Sequence, residues 1–101
     1  MLNLKGFERS YLMRRAHELQ PVVMIGKGGM TPGVQTAIDN ALASHELVKV
    51  RFVDYKEERR SLAQEMAKAS GAFVVTVVGN NAILYRPHED PAKRRITLPS
   101  R

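Results

Sequence analysis

Apolar residues recur at three- and four-residue spacing at the start of the chain: Leu4, Phe7, Tyr11, Leu12, Ala16 and Leu19. This predicts a helix over 5–19, which Pro21 breaks. Val22–Ile25 is apolar without alternation and predicts a short strand covered on both faces. Val34, Ala37, Ile38, Ala41 and Leu42 form the stripe of a second helix, 32–44. Glu46–Val53 alternates, which predicts a strand over 47–52. Val48, Val50 and Phe52 share one face; Leu47, Lys49 and Arg51 share the other, which is partly solvated or itself a contact surface. Leu62, Ala63, Met66 and Ala69 mark a third helix, 57–70, ended by Gly71. Glu57 and Glu58 suit its positive end. An unbroken apolar strand, 73–78, a Gly79-Asn80-Asn81 turn and a strand over 82–85 complete the pattern.

Strands alternating with helices imply parallel neighbours, and the closing hairpin adds an antiparallel one. The expected fold is α/β in the broad sense, a two-layer α+β unit with a mixed four-stranded sheet and three helices in the order α-β-α-β-α-β-β. One domain is expected over 1–87, followed by a polar, basic tail over 88–101 whose only large apolar anchors are Ile96 and Leu98.

The junction between the first strand and the second helix reads Gly26-Lys27-Gly28-Gly29-Met30-Thr31-Pro32. Its glycines permit turn conformations and the close approach of a ligand. Thr31 is a good N-cap and Pro32 falls at the first helical position. A lysine on a glycine loop beside the positive end of a helix favours an anion, most commonly phosphate. The pattern is neither a P-loop, which needs a hydroxyl residue after the lysine, nor a dinucleotide fingerprint, which needs a glycine at Thr31. It is a Gly-x-x-Gly loop, the form that clamps a nucleic-acid backbone in KH domains. An unliganded strand-to-helix turn is the alternative.

Charge sharpens the picture. The 101 residues carry a net +6. Residues 1–29 hold Lys5, Arg9, Arg14, Arg15 and Lys27 against Glu8 and Glu18, an excess of three. Residues 86–101 hold Arg86, Lys93, Arg94, Arg95 and Arg101 against Glu89 and Asp90, again an excess of three, and the middle balances. Such segregation suits an anionic polymer. The absence of cysteine removes disulfides and thiolate metal sites and fits the cytoplasm. No apolar run reaches the roughly 20 residues of a membrane span, and no signal-peptide core is legible. No cofactor or metal motif is present. His45 stands without a second ligand at metal spacing, and His17, His45 and His88 are scattered, with no nucleophile–base order. Tyr55, the one aromatic in a polar loop, suits base stacking and burial at the helix start equally.

Several short segments then fall in the order and spacing of one family: Pro21-Val22-Val23, Gly26-x-x-Gly29 with Met30-Thr31, His45-Glu46-Leu47-Val48-Lys49-Val50, Leu84-Tyr85-Arg86-Pro87 and Ile96-Thr97-Leu98-Pro99. From about Tyr11 to Pro99 the chain resembles the bacterial YhbY proteins, which are stand-alone CRM domains. The resemblance implies a fold similar to the C-terminal domain of translation initiation factor 3, with strand order 1-2-4-3. It implies a monomeric RNA-binding protein without catalytic activity, working on ribosomal RNA in precursors of the large subunit. The family loop maps onto Gly26 and Gly29. Arg14 and Arg15 precede its Ala-His-x-Leu segment, here Ala16-His17-Glu18-Leu19, at positions where members vary. The expected RNA-binding residues are Gly26, Lys27, Gly28, Gly29 and Thr31 with Lys5, Arg9, Arg14 and Arg15. A protein-binding assembly subunit and an enzyme on a phosphorylated small molecule are the alternatives.

Overall fold

A computed structural model describes residues 4–100 of the chain. The elements follow the expected order: α1 (Gly6–Ala16), β1 (Val23–Ile25), α2 (Pro32–His45), β2 (Leu47–Phe52), α3 (Arg59–Ser70), β3 (Phe73–Val78) and β4 (Asn81–Tyr85), with a short 3-10 turn at Pro91–Lys93. The sheet order is β1-β2-β4-β3, as the family resemblance implies. β1 and β2 are parallel, placing Met24 beside Arg51; β4 is antiparallel to both its neighbours.

The helices divide between the two sheet faces. α2 and α3 bury Ile38, Leu42, Ala63 and Met66 against Val23, Ile25, Val48, Val50, Phe52, Ala82 and Leu84. On the opposite face, Leu12 and Ala16 of α1 pack with Leu47, Val75, Ile83, Tyr85 and Ile96. α1 therefore adds a third, partial layer. It covers the β3–β4 side and the start of β2, and leaves β1 open.

This placement corrects one expectation. β1 is not covered on both faces: Val23 and Ile25 are buried, but Val22 is 47% and Met24 59% exposed. The apolar run encodes an edge strand with one bare face, because α1 ends before reaching it. β3, likewise read as an unbroken apolar strand, is the other edge, and its last residue Val78 is exposed.

Local signals explain most boundaries. Thr31 Oγ1 accepts from Val34 N at 3.1 Å, and Pro32 starts α2. Gly71 ends α3 in the left-handed conformation. Gly79, also left-handed, makes the β3–β4 turn. α1 stops at Ala16, three residues short of the expected 19; Leu19 still reaches the core through a turn before Pro21. α3 begins at Arg59 rather than 57. Tyr55 has φ 56°, and Glu58 N bonds to Tyr55 O, so the chain is still turning there. Glu58 is the N-cap residue but makes no side-chain capping bond.

The segment beyond Pro87 is stitched to the body by Glu46. This residue is 2% exposed and has φ 64°, an unfavourable angle for a side-chain-bearing residue. Its Oε2 accepts from His88 N at 2.6 Å; its Oε1 accepts from Arg95 N at 2.6 Å and Ile96 N at 2.9 Å. Its own carbonyl accepts from Arg86 N. Ile96, 5% exposed, sits in the α1-side core. Burial pushes the Glu46 carboxyl upward, but the three N–H donors and the nearby Arg94 outweigh it and hold the group below its ordinary 4.5. Burial, with Glu46 close by, raises the Tyr85 phenol above 10.0.

Candidate nucleic-acid interface

The glycine loop follows directly from β1. Gly29 N donates to Gly26 O at 3.0 Å, closing a tight turn over Gly26–Gly29. Gly29 is buried with φ 64°, and a Cβ there would meet the Tyr55 ring at 3.4 Å. Its glycine identity is thus favoured by the backbone angle, while the ring leaves a Cβ only ordinary contact. Lys27 and Gly28 are exposed at the tip. A Cβ at Gly28 would make only ordinary contact with Thr31, at 3.6 Å.

Tyr55 answers the question its position raised. Its hydroxyl donates to the Lys27 carbonyl oxygen at 2.9 Å, while its ring lies against Gly29. Its own backbone bend is fixed by Tyr55 N donating to Asp54 Oδ1 at 2.7 Å. Val53 N and Asp54 N both donate to Ile25 O, joining the end of β2 to the end of β1. Tyr55 therefore buttresses the loop from the neighbouring strand and leaves Lys27 and Gly28 facing solvent.

The basic residues of α1 separate. Arg14 and Arg15 line a trough between α1 and β2, together with Lys49 and Arg95. Arg15 is exposed. It hydrogen-bonds the Tyr11 hydroxyl at 3.2 Å and lies 5.9 Å from the centre of that ring. Arg9 points elsewhere, to the far edge of the sheet. Its guanidinium donates to Val74 O at 2.7 Å and also to Val75 O, at the bulge between Val74 and Thr76. Lys5, one turn earlier, is the exposed N-cap of α1, its N–H donating to Glu8 Oε1 at 2.8 Å. The structure thus brings Arg14 and Arg15 to the β1–β2 half of the sheet, where the glycine loop begins, and keeps Lys5 and Arg9 at the other.

At the basic C-terminal end, Arg86 is engaged within the fold: it donates to Asp39 Oδ1 at 3.2 Å, Asp39 O at 3.0 Å and Ser70 O at 2.8 Å, tying α2 to α3. Arg94 Nε donates to His88 O at 2.8 Å. Arg101 lies outside the described residues. Among the described residues there is no cluster of metal-ligating side chains, and no helix is long and apolar enough to cross a membrane.

The CRS1/YhbY (CRM) domain model matches residues 4–86. The chain belongs to the CRM domain family. A Haemophilus influenzae relative named RNA-binding protein is 37% identical over 100 residues, covering 98% of both chains. YqeI of Bacillus subtilis, whose name also refers to RNA binding, is 32% identical over 97 residues, with 95% of this chain and 99% of that one covered. Among solved structures, a hypothetical protein of Staphylococcus aureus has a TM-score of 0.80 at 31% identity, covering 96% of this chain and all of that one. Within this CRM domain, Lys49 and Arg51 were legible as a strand face that is partly solvated or a contact surface, and Arg95 only as one charge of a tail. What joins Lys49 and Arg95 to Arg14 and Arg15 is tertiary packing.

Proposed function

We propose that this CRM domain is an RNA-binding assembly factor that holds ribosomal RNA in precursors of the large subunit, as a cytoplasmic monomer, without cofactor, membrane or catalysis. The names of its relatives support the RNA partner, and the family resemblance directs the proposal to the ribosome. The observation that carries the site is the buttressed loop: Tyr55 holds the turn, so Lys27 and Gly28 stand free beside the N-terminus of α2. Backbone N–H groups, the helix end with about half a positive charge and the mobile Lys27 cation converge on one phosphate. Thr31 contributes by capping that helix. Recognition of this kind reads backbone and shape rather than base sequence.

The test is a titration against a structured ribosomal RNA fragment, with thermal melts alongside. Lys27→Ala should weaken binding, and Gly28→Asp should weaken it further by placing a carboxylate at the phosphate position. Both should melt like wild type, since Lys27 is exposed and Gly28 has room for a Cβ. Equal RNA affinity for Gly28→Asp would reduce the loop to a structural turn.

A further inference from the structure

The trough between α1 and the open half of the sheet has a volume of about 920 Å³ and a floor that includes Leu47 and Ile96. Arg14, Arg15, Lys49 and Arg95 surround it, with Glu18 the one acidic lining residue. Among the described residues, the side chains of Arg14, Lys49 and Arg95 make no hydrogen bond or ion pair; Arg95 is tied only through its backbone N–H. Four cations gathered around a concavity repel one another, and a bound anion relieves that repulsion.

β1 leads from the trough, which Val22 lines, to the glycine loop at Gly26. β1 and β2 run parallel toward it, and Val22 N donates to Lys49 O. Lys49 and Arg51 share one face of β2, about 7 Å apart at two residues' separation. That spacing is comparable with that of successive phosphates in an extended strand. Arg51 and its neighbour Met24 are both exposed, and they bridge the trough and the loop on the uncovered face. An isolated small anion would not need this extended track. An acidic peptide would meet the charges, but the flat Arg15–Tyr11 pair and the apolar floor suit the face of a base.

We propose that the trough is a second RNA site, taking the single strand that leaves the glycine loop past Arg51 and Lys49, its backbone on Arg14, Lys49 and Arg95 and a base against Tyr11–Arg15. The proposal rests on the loop being an RNA contact.

The probes are single-stranded RNAs of about four nucleotides, the length a Gly-x-x-Gly loop clamps in KH domains, and of about twelve. Wild type should bind the longer RNA at least about tenfold more tightly. Arg14→Glu/Lys49→Glu should keep the short-RNA affinity and lose most of the gain with length. Its salt slope on the longer RNA should be shallower by about 1.4, for two phosphates at about 0.7 each. Arg14→Gln/Lys49→Gln carries the comparison if the glutamate variant melts early. Gly28→Asp should weaken both RNAs, which separates the loop from the trough. A full gain with length in the trough variants overturns the second site and leaves the loop standing. Failure of wild type to bind either RNA overturns both. If polyglutamate binds wild type as tightly as the longer RNA and loses that affinity in the trough variant, the trough is a protein-docking surface and the proposal falls.

Discussion

The Tyr55 hydroxyl and the Lys27 carbonyl oxygen, 28 positions apart in sequence, meet at 2.9 Å. The bond fixes the glycine loop to the segment leaving β2, and Lys27 stays exposed at its tip. Tyr55→Phe keeps the ring against Gly29 and removes only the bond. The expected loss in stability is about 0.5–1 kcal/mol, with a several-fold loss of RNA affinity. Denaturant unfolding and RNA titration of the same preparation check both. An RNA affinity unchanged beyond error would show that the loop holds its shape unaided.

Glu46 should be the costliest polar position in the molecule. Glu46→Ala strands three backbone N–H groups that its carboxylate now satisfies. A destabilisation of about 3 kcal/mol is expected, with faster hydrogen exchange at His88, Arg95 and Ile96. Protection retained at those three amides would disprove the clamp.

The same carboxylate sets an acid limit. Its pKa is held below 4.5 in the fold, so its contribution is complete above that value and is lost as pH falls through the lower folded one. Wild type should therefore lose stability below about pH 4.5 more steeply than Glu46→Gln, which cannot titrate. Parallel slopes in urea midpoints measured from pH 6 to pH 3 would assign the acid sensitivity to other carboxylates.

Ile96 tests whether the basic C-terminal segment belongs to the core. Ile96→Ala should cost about 2–4 kcal/mol, the range for truncating a buried aliphatic side chain. Removal of 88–101 should cost more, since it also strips Glu46 of its donors. A truncated chain that melts like the full one would make the segment a mere appendage.

Much of the frame could be read from local chemistry. Thr31–Pro32, Gly71 and Gly79 announce their boundaries because capping and turn angles are settled within a few residues. The alternation in β2 separates Val48, Val50 and Phe52 from Lys49 and Arg51 for the same reason. The bare face of β1 was hidden, because an edge strand and a central one can carry the same apolar run. Only the course of α1 decides between them. Glu46 was hidden more deeply. Its partners lie 42 to 50 positions away, and nothing near it in sequence marks it as more than the start of a strand. At the candidate site the Gly-x-x-Gly turn was visible as a pattern, while the meeting of Arg14, Arg15, Lys49 and Arg95 required the fold.

Arg9 has a consequence beyond the fold it braces. β3 is a border of the sheet, and an unpaired border offers its carbonyls and amides to any extended segment that drifts past. At Val74 and Val75 those carbonyls are already occupied by the guanidinium, and the bulge throws the ladder out of step. A stray strand arriving there finds two acceptors taken, a mismatched spacing and a positive charge in its path. A residue first counted among cations for RNA thus also seals the seam along which copies of the chain would otherwise zip together.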